Sequence, residues 1–416
     1  MLPLCLGVSV VQLVVLAGCK KNQSDSVDLP PGIVKVEGVF EDVGPRWSHR
    51  GDRIAFLRHT TDRKYQLCTT SADLKTVIPL LVPEIINPDR LYRTGRDSYR
   101  APECLAWSPD DRYIFFSRVE WMTFPDGDKL PGTAIWRYDT ITRTTTPFAT
   151  HPPRYSGSLY YYRSPAVSPD GKHVAFVGEG LHGETALFIR AVSQAKPDEN
   201  IPRYDSFQDS GWPTWSPDGK LLAFRQGILR GYTADPIESI RIVEPGGTRA
   251  RKAWATTPER YDTALEKNAP DQPSKGRPIP KVAGVSWSPD GRQLAFCVAG
   301  DPRDLKTGSI WSVDLNSTET SASAELVAGS SSGTGYAAPV WSDDRSVVAV
   351  RLTGKTGMTL VSLSRQKAVN FGDTTMPSSD FDLSPDMTRV VAAGPPAKPG
   401  GGPPPITTLQ LITVQK

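Results

Sequence analysis

Histidine and cysteine are scarce, five of each in 416 residues, whereas proline and glycine number 38 and 35. The histidines are His49, His59, His151, His173 and His182, and no two stand at the i, i+4 spacing that would point two imidazoles at one metal ion. None follows His182. The segment Gly329-Ser330-Ser331-Ser332-Gly333 matches G-x-S-x-G, but it lies in a Ser/Gly loop with no downstream imidazole, and it is read as a chance match. No catalytic residue, metal ligand or cofactor site is therefore assigned. Charge of one sign is also missing. The 48 basic and 45 acidic side chains leave a net charge of +3, which excludes a strongly basic nucleic-acid binder. Proline stands at about twice its usual ~5%, too rich for a helical bundle because it breaks helix interiors. It suits a chain made of many turns.

Long apolar runs are absent beyond the first nineteen residues, MLPLCLGVSVVQLVVLAGC. This run is uncharged and borderline for a membrane span, which needs about 20 residues. Its end, Leu16-Ala17-Gly18-Cys19, resembles the lipobox of bacterial lipoproteins. The resemblance implies a signal peptide over 1–18, cut before Cys19, and lipidation of the Cys19 thiol and amine. It also implies attachment on the periplasmic side of the cell envelope. Lys20 follows the cysteine, and the lack of aspartate there directs such a protein to the outer membrane. The polar stretch 19–32 reads as a flexible tether. Cys68, Cys104 and Cys297 remain, an odd number that makes a poor disulfide framework. They are expected as small buried hydrophobes.

The rest of the chain repeats. RWSHRGDRIAF starts at Arg46, AWSPDDRYIFF at Ala106, AVSPDGKHVAF at Ala166 and TWSPDGKLLAF at Thr214. SWSPDGRQLAF, VWSDDRSVVAV and DLSPDMTRVVA follow at Ser286, Val340 and Asp382. The shared serines are Ser48, Ser108, Ser168, Ser216, Ser288, Ser342 and Ser384, a mean of 56 residues apart. Ser-Pro-Asp-Gly is a tight turn: proline presets φ, aspartate is tolerated at the third position, glycine accepts φ > 0, and the serine hydroxyl can bond the turn backbone. After each turn, apolar residues occupy the sixth and eighth positions from serine, and alanine the seventh in five units. Alternate strand residues point to opposite faces, so both faces are buried. Units 1, 2, 6 and 7 depart from the motif (His49-Arg50, Asp111, Arg345, Met387), and distorted turns are expected there. His173 follows its turn in a register held elsewhere by Arg53, Tyr113, Leu221 and Gln293, and is read as a surface residue.

Further β-rich runs follow each turn, among them AIWRYD (134–139), ALFIRAV (186–192), SIRIVE (239–244) and LQLITV (409–414). Turn and strands at 42–72 residues per unit fit four-stranded propeller blades. The cores resemble the WD40-like (PD40) repeats of TolB and related periplasmic propellers, sharpest in units 3, 4 and 5. The expected fold is all-β, a seven-bladed β-propeller of four-stranded antiparallel blades over residues 33–416. Its last unit offers three strands. The spare run 33–38 is expected to supply the fourth and to close the ring. TolB itself carries an α/β domain ahead of its propeller, so the resemblance is one of fold.

Antiparallel blades place the connections into first strands, and those between second and third strands, on one rim. The Ser-Pro-Asp-Gly turns lie on the other. The candidate partner-binding residues fall on the first rim: Arg90, Tyr92, Arg93, Arg96, Tyr99 and Arg100, then Arg154 and Tyr155, Arg203 and Tyr204, and Arg260 and Tyr261. Arginine forks bind carboxylates and tyrosine gives a flat face with a polar tip. The same Arg-Tyr pairs could instead pack against neighbouring blades. The 119–132 insertion, with Trp121 and Asp126-Gly127-Asp128, belongs to this rim as a solvated hairpin; two aspartates alone lack the oxygen ligands of a calcium loop. The expected function is a non-catalytic, monomeric binding scaffold for an envelope protein or anionic polysaccharide. It would touch the membrane through the lipid anchor only and would not bind nucleic acid. The alternative is a propeller-type lyase or hydrolase with acidic residues in the central channel.

Overall fold

The structure, a computed structural model, describes residues 41–59, 65–81, 105–123, 126–127, 129–151, 159–180, 185–193, 209–227, 238–247, 250–255, 281–299, 308–315, 325–329, 334–341, 347–353, 357–364, 367–375, 381–393 and 408–413. Regular structure among them is all strand. Unit 1 comprises β1 (Glu41–Trp47), β2 (Arg53–His59), β3 (Tyr65–Ser71) and β4 (Val77–Pro79). Unit 2 holds β5 (Leu105–Trp107), β6 (Tyr113–Thr123), β7 (Lys129–Asp139) and β8 (Thr144–Ala149), and unit 3 holds β9 (Leu159–Val167), β10 (His173–Gly180) and β11 (Thr185–Ala191). Unit 4 is β12 (Asp209–Trp215), β13 (Leu222–Gly227), β14 (Glu238–Val243) and β15 (Arg251–Ala255). Unit 5 is β16 (Lys281–Trp287), β17 (Gln293–Ala299), β18 (Ser309–Asp314) and β19 (Glu325–Ala328). Unit 6 is β20 (Thr334–Trp341), β21 (Val347–Thr353), β22 (Gly357–Ser364) and β23 (Lys367–Thr375); unit 7 is β24 (Phe381–Leu383), β25 (Arg389–Ala393) and β26 (Leu409–Thr413). Within each unit the strands pair antiparallel in chain order, and one parallel bridge, Thr133 to Tyr161, joins units 2 and 3. The 33–38 segment and Cys19 lie outside the described residues.

The turns explain why serine recurs. In unit 5, Ser288 donates its hydroxyl to Asp290 (2.7 Å) and accepts the Gln293 N–H (2.9 Å), while Asp290 accepts the Arg292 N–H (3.1 Å). Units 2, 3, 4 and 7 repeat this set around Ser108, Ser168, Ser216 and Ser384. The expected distortions do not occur in the described divergent turns. Asp111 and Met387 adopt φ of 57° and 56°, close to the 69–70° of Gly51, Gly171, Gly219 and Gly291, and close the same bond back to serine. In unit 1, Asp52 replaces the missing turn aspartate as partner of Ser48.

Packing follows the alternation. The Val174/Phe176 face of unit 3 joins one apolar cluster with Phe115 of unit 2, and Ala175 joins the next with Trp215, Leu222 and Phe224 of unit 4. Ile54 and Phe56 of unit 1 share a cluster with Val391 and Leu409 of unit 7. The recurrent tryptophans bridge units. Trp107, Trp215 and Trp287 donate their indole N–H to Arg46, Ala166 and Thr214 of the preceding unit, at 2.9–3.0 Å. The residue five beyond serine covers the next unit's tryptophan: Arg53 lies over Trp107 (5.1 Å), His173 stacks on Trp215 (6.1 Å) and Arg389 lies over Trp47 (4.7 Å). His173 is thus a packing residue between units 3 and 4, which corrects its reading as a surface residue. Isolated strand alternation could not show this, because the partner sits on another sheet.

Cys68 and Cys297 are buried, as expected. Burial pushes the Cys68 thiol far above its usual range, so it is inert at neutral pH.

Candidate functional site

The two ends of the strands differ. At the turn end the described first-to-second connections are uniform: 48–52, 108–112, 168–172, 288–292 and 384–388, with 216–221 one residue longer. At the other rim the connections into first strands include 80–104, 150–158 and 256–280. The predicted residues Arg90, Tyr92, Arg93, Arg96, Tyr99, Arg100, Arg154, Tyr155, Arg203, Tyr204, Arg260 and Tyr261 all fall on such connections and lie outside the described residues.

What is described at this rim is the frame that holds them. Leu81 and Leu105 flank the Arg-rich segment, and both are buried in one cluster with Tyr65, Leu67, Phe116 and Tyr138, with Trp136 packed against it. Both flanks of the segment are therefore anchored at the packed boundary between units 1 and 2. On the unit 2 side of that boundary, β6 and β7 extend well past the other hairpins, with eleven residues each. The 119–132 insertion is hence mostly strand rather than loop. Asp126 and Gly127 sit exposed at its tip.

Alternation gives this hairpin two faces. Arg118, Glu120 and Trp136 share one: the Trp136 indole donates to Glu120 Oε1 at 2.7 Å, and the Arg118 guanidinium lies 4.2 Å from the Trp136 ring centre. Burial pushes the Glu120 carboxyl above its ordinary range, against the opposing hydrogen bond from Trp136 and the charge of Arg118; burial likewise lowers Arg118. Trp121 points the other way and is 69% exposed. On the unit 1 side, His59 stacks on Tyr65 (4.7 Å) and lies 3.7 Å from Glu41.

Below the rim runs a tier of ion pairs that the sequence reading missed. Arg58 forks onto Asp42 (2.8 and 3.1 Å), Arg163 meets Glu179 (2.7 Å), and Arg225 forks onto Glu238 (2.7 and 2.8 Å). Such pairs tolerate burial because each guanidinium meets a carboxylate in matched geometry. Gly227 makes room for the last pair, since a Cβ there would lie 2.8 Å from Glu238 Oε1. Their only sequence signal is arginine inside otherwise apolar strands such as LAFRQG. No group of three or more His, Cys, Asp or Glu side chains able to hold a metal ion occurs among the described residues.

Three solved structures frame the architecture. An oligogalacturonate lyase in complex with manganese superposes with TM-score 0.57 at 12% identity, covering 90% of each chain. A puromycin-hydrolyzing peptidase of Mycobacterium tuberculosis superposes with TM-score 0.55 at 13% identity, covering 91% of this chain and 53% of that one. TolB from Acinetobacter baumannii matches with TM-score 0.39 at 16% identity, over 80% of this chain and 65% of its own. No protein-family model and no curated protein matches the sequence. The likeness is one of fold: the chain is an all-β protein of the propeller type, built from successive antiparallel sheets.

Proposed function

We propose that this chain is a binding scaffold: a closed, seven-bladed propeller, lipid-anchored through Cys19 on the periplasmic side of the envelope, that recognises a protein partner or an anionic glycan through the long-loop rim. Closure is supported by contacts between units 7 and 1 that repeat those between units 1 and 2. The Arg389–Trp47 contact matches Arg53–Trp107. In addition, Asp42 and Thr408 bond reciprocally, Asp42 N–H to the Thr408 hydroxyl (2.8 Å) and Thr408 N–H to the Asp42 carboxylate (2.7 Å). Strand 33–38 is retained as the proposed fourth strand of unit 7. The working state is a monomer that meets the membrane through its lipid and does not bind nucleic acid.

The observation that carries the binding role is Trp121. A large indole is held in water on a ribbon whose register is complete from Tyr113–Asp139 to Thr123–Lys129. Rigid, exposed aromatics bind at low entropic cost and dominate recognition surfaces. The test is capture from envelope extract by the mature chain, its Trp121→Ala variant and the fourfold Arg90, Arg93, Arg96, Arg100→Ala variant. Loss of a specific captured species in either variant is expected. Undiminished capture by both rejects the rim.

One observation favours the catalytic alternative. Glu120 is a half-buried carboxyl with raised proton affinity beside Arg118 and Trp136, an environment that suits a general acid. Oligogalacturonide cleavage that disappears in Glu120→Gln would replace the scaffold reading with an enzymatic one.

A further inference from the structure

Units 1 and 2 break the repeat at two positions of the same turn. Unit 1 has His49 where units 2, 3, 4, 5 and 7 have proline, and unit 2 has Asp111 where units 1, 3, 4 and 5 have glycine. These positions are neighbours across blade boundaries. A Cβ built on Gly171 would lie 3.7 Å from Pro109 Cδ, on Gly219 3.6 Å from Pro169 Cδ, on Gly291 3.7 Å from Pro217 Cδ and on Gly51 3.4 Å from Pro385 Cδ. The glycine of each of these turns therefore faces the proline of the preceding unit. At the boundary between units 1 and 2 the facing pair is His49 and Asp111.

Their chemistry is matched. The Asp111 side chain is fully buried, and its Oδ1 accepts the His49 main-chain N–H at 2.6 Å while Oδ2 accepts the Arg50 N–H at 2.9 Å. His49 Nδ1 stands 3.3 Å from Oδ1, and Arg50 Nε 3.6 Å from Oδ2. Proline at 49 would delete the first donor. Glycine at 111 would delete the acceptor. A fully buried carboxylate that loses one of its two main-chain donors is left short of a hydrogen bond, so Asp111 is better matched by His49 than by proline. The backbone argues the same way: at φ 57° glycine is at ease and aspartate is not, so Asp111 needs a compensating gain.

We propose that His49 and Asp111 are one compensated change, a carboxylate latch that fastens unit 1 to unit 2 in place of the Pro/Gly contact used elsewhere. The latch fastens β1, the first strand among the described residues. Unit 1 is gripped from its other flank as well: Asp382 of unit 7 accepts the Trp47 N–H at 2.7 Å, and Thr408 holds Asp42. Between residues 42 and 50 the main chain is thus held by side chains of both neighbours. This inference is independent of what the rim binds and of lipidation.

The test is a double-mutant cycle on soluble chain lacking the signal peptide: His49→Pro, Asp111→Gly and the pair. The readouts are amide exchange at Arg50 and the denaturant midpoint. Asp111→Gly is expected to speed Arg50 exchange about tenfold or more and to lower the midpoint, although glycine suits the backbone better. His49→Pro is expected to lower the midpoint too, and the double variant to recover most of the loss by restoring the Pro/Gly contact. Additive losses in the double variant would overturn the proposal. So would Asp111→Gly matching or exceeding the native chain. Should His49→Pro fail to fold, Asp111→Asn decides: faster exchange at Arg50 supports the latch, and native-like protection overturns it.

Discussion

The turn rim and the loop rim of this protein are built from the same strands but obey different rules. At the turn rim, a serine, an aspartate and a residue in the left-handed region repeat one hydrogen-bond set in unit after unit. At the loop rim, connections differ in length, ion pairs differ in position, and one hairpin projects an indole into water. Local interactions make the first rim tolerant of replaced residues. Non-local ones make the second rim specific to each unit. The difference shows where stability and where recognition reside.

Substitutions can break or sharpen this contrast. The largest effect is expected at the buried loop-rim pair: Glu238→Ala strips the carboxylate from Arg225 inside the fold and should cost about 3–5 kcal/mol in denaturant unfolding. Next comes the turn, where Ser288→Ala removes the bonds to Asp290 and Gln293 and should cost about 1–3 kcal/mol. An equal loss at both sites would erase the distinction between the rims. Met387→Gly should gain about 1 kcal/mol, because methionine bears a left-handed φ that glycine adopts freely.

Acid should act on the turn rim. The Ser384 hydroxyl, then the Thr388 N–H, hold Asp386 at about 2, and Ser168 and Ser216 likewise lower Asp170 and Asp218. A carboxyl whose folded pKa lies below its unfolded value contributes stability above about pH 4 and loses it as pH falls through the folded value. Thermal stability should therefore fall between about pH 4 and 2, and Asp386→Asn should flatten part of that fall. The smallest effect on stability is expected at Trp121, whose replacement by alanine should change unfolding by less than about 0.5 kcal/mol while capture of the partner drops. A marked stability loss there would make Trp121 a packing residue.

Much of this was legible in the chain. The seven serines marked the turns, and the Ile/Val/Leu, Ala, Phe alternation marked strands buried on both faces. Cys68 and Cys297 were read as buried, and they are. The candidate binding residues, from Arg90 to Tyr261, were located by counting strands. Their side-chain geometry lies outside the described residues, so the structure supplies their frame and not their contacts. Other features were misread. The turns of units 1, 2 and 7 looked defective, yet Asp111 and Met387 take up the left-handed φ of the missing glycine and Asp52 stands in for the missing aspartate, whereas His173 looked superficial because its unit was judged without its neighbour.

Period, turn chemistry and face alternation are properties of a few consecutive residues, so the sequence by itself determined the all-β architecture, the unit boundaries and the rim on which length varies. Tertiary structure alone decided which distant residues meet: Asp111 with the His49 main chain, Arg389 with Trp47, Asp42 with Thr408. Those pairings depend on how successive sheets stack and twist against one another, a relation between residues tens to hundreds of positions apart that no local spacing encodes.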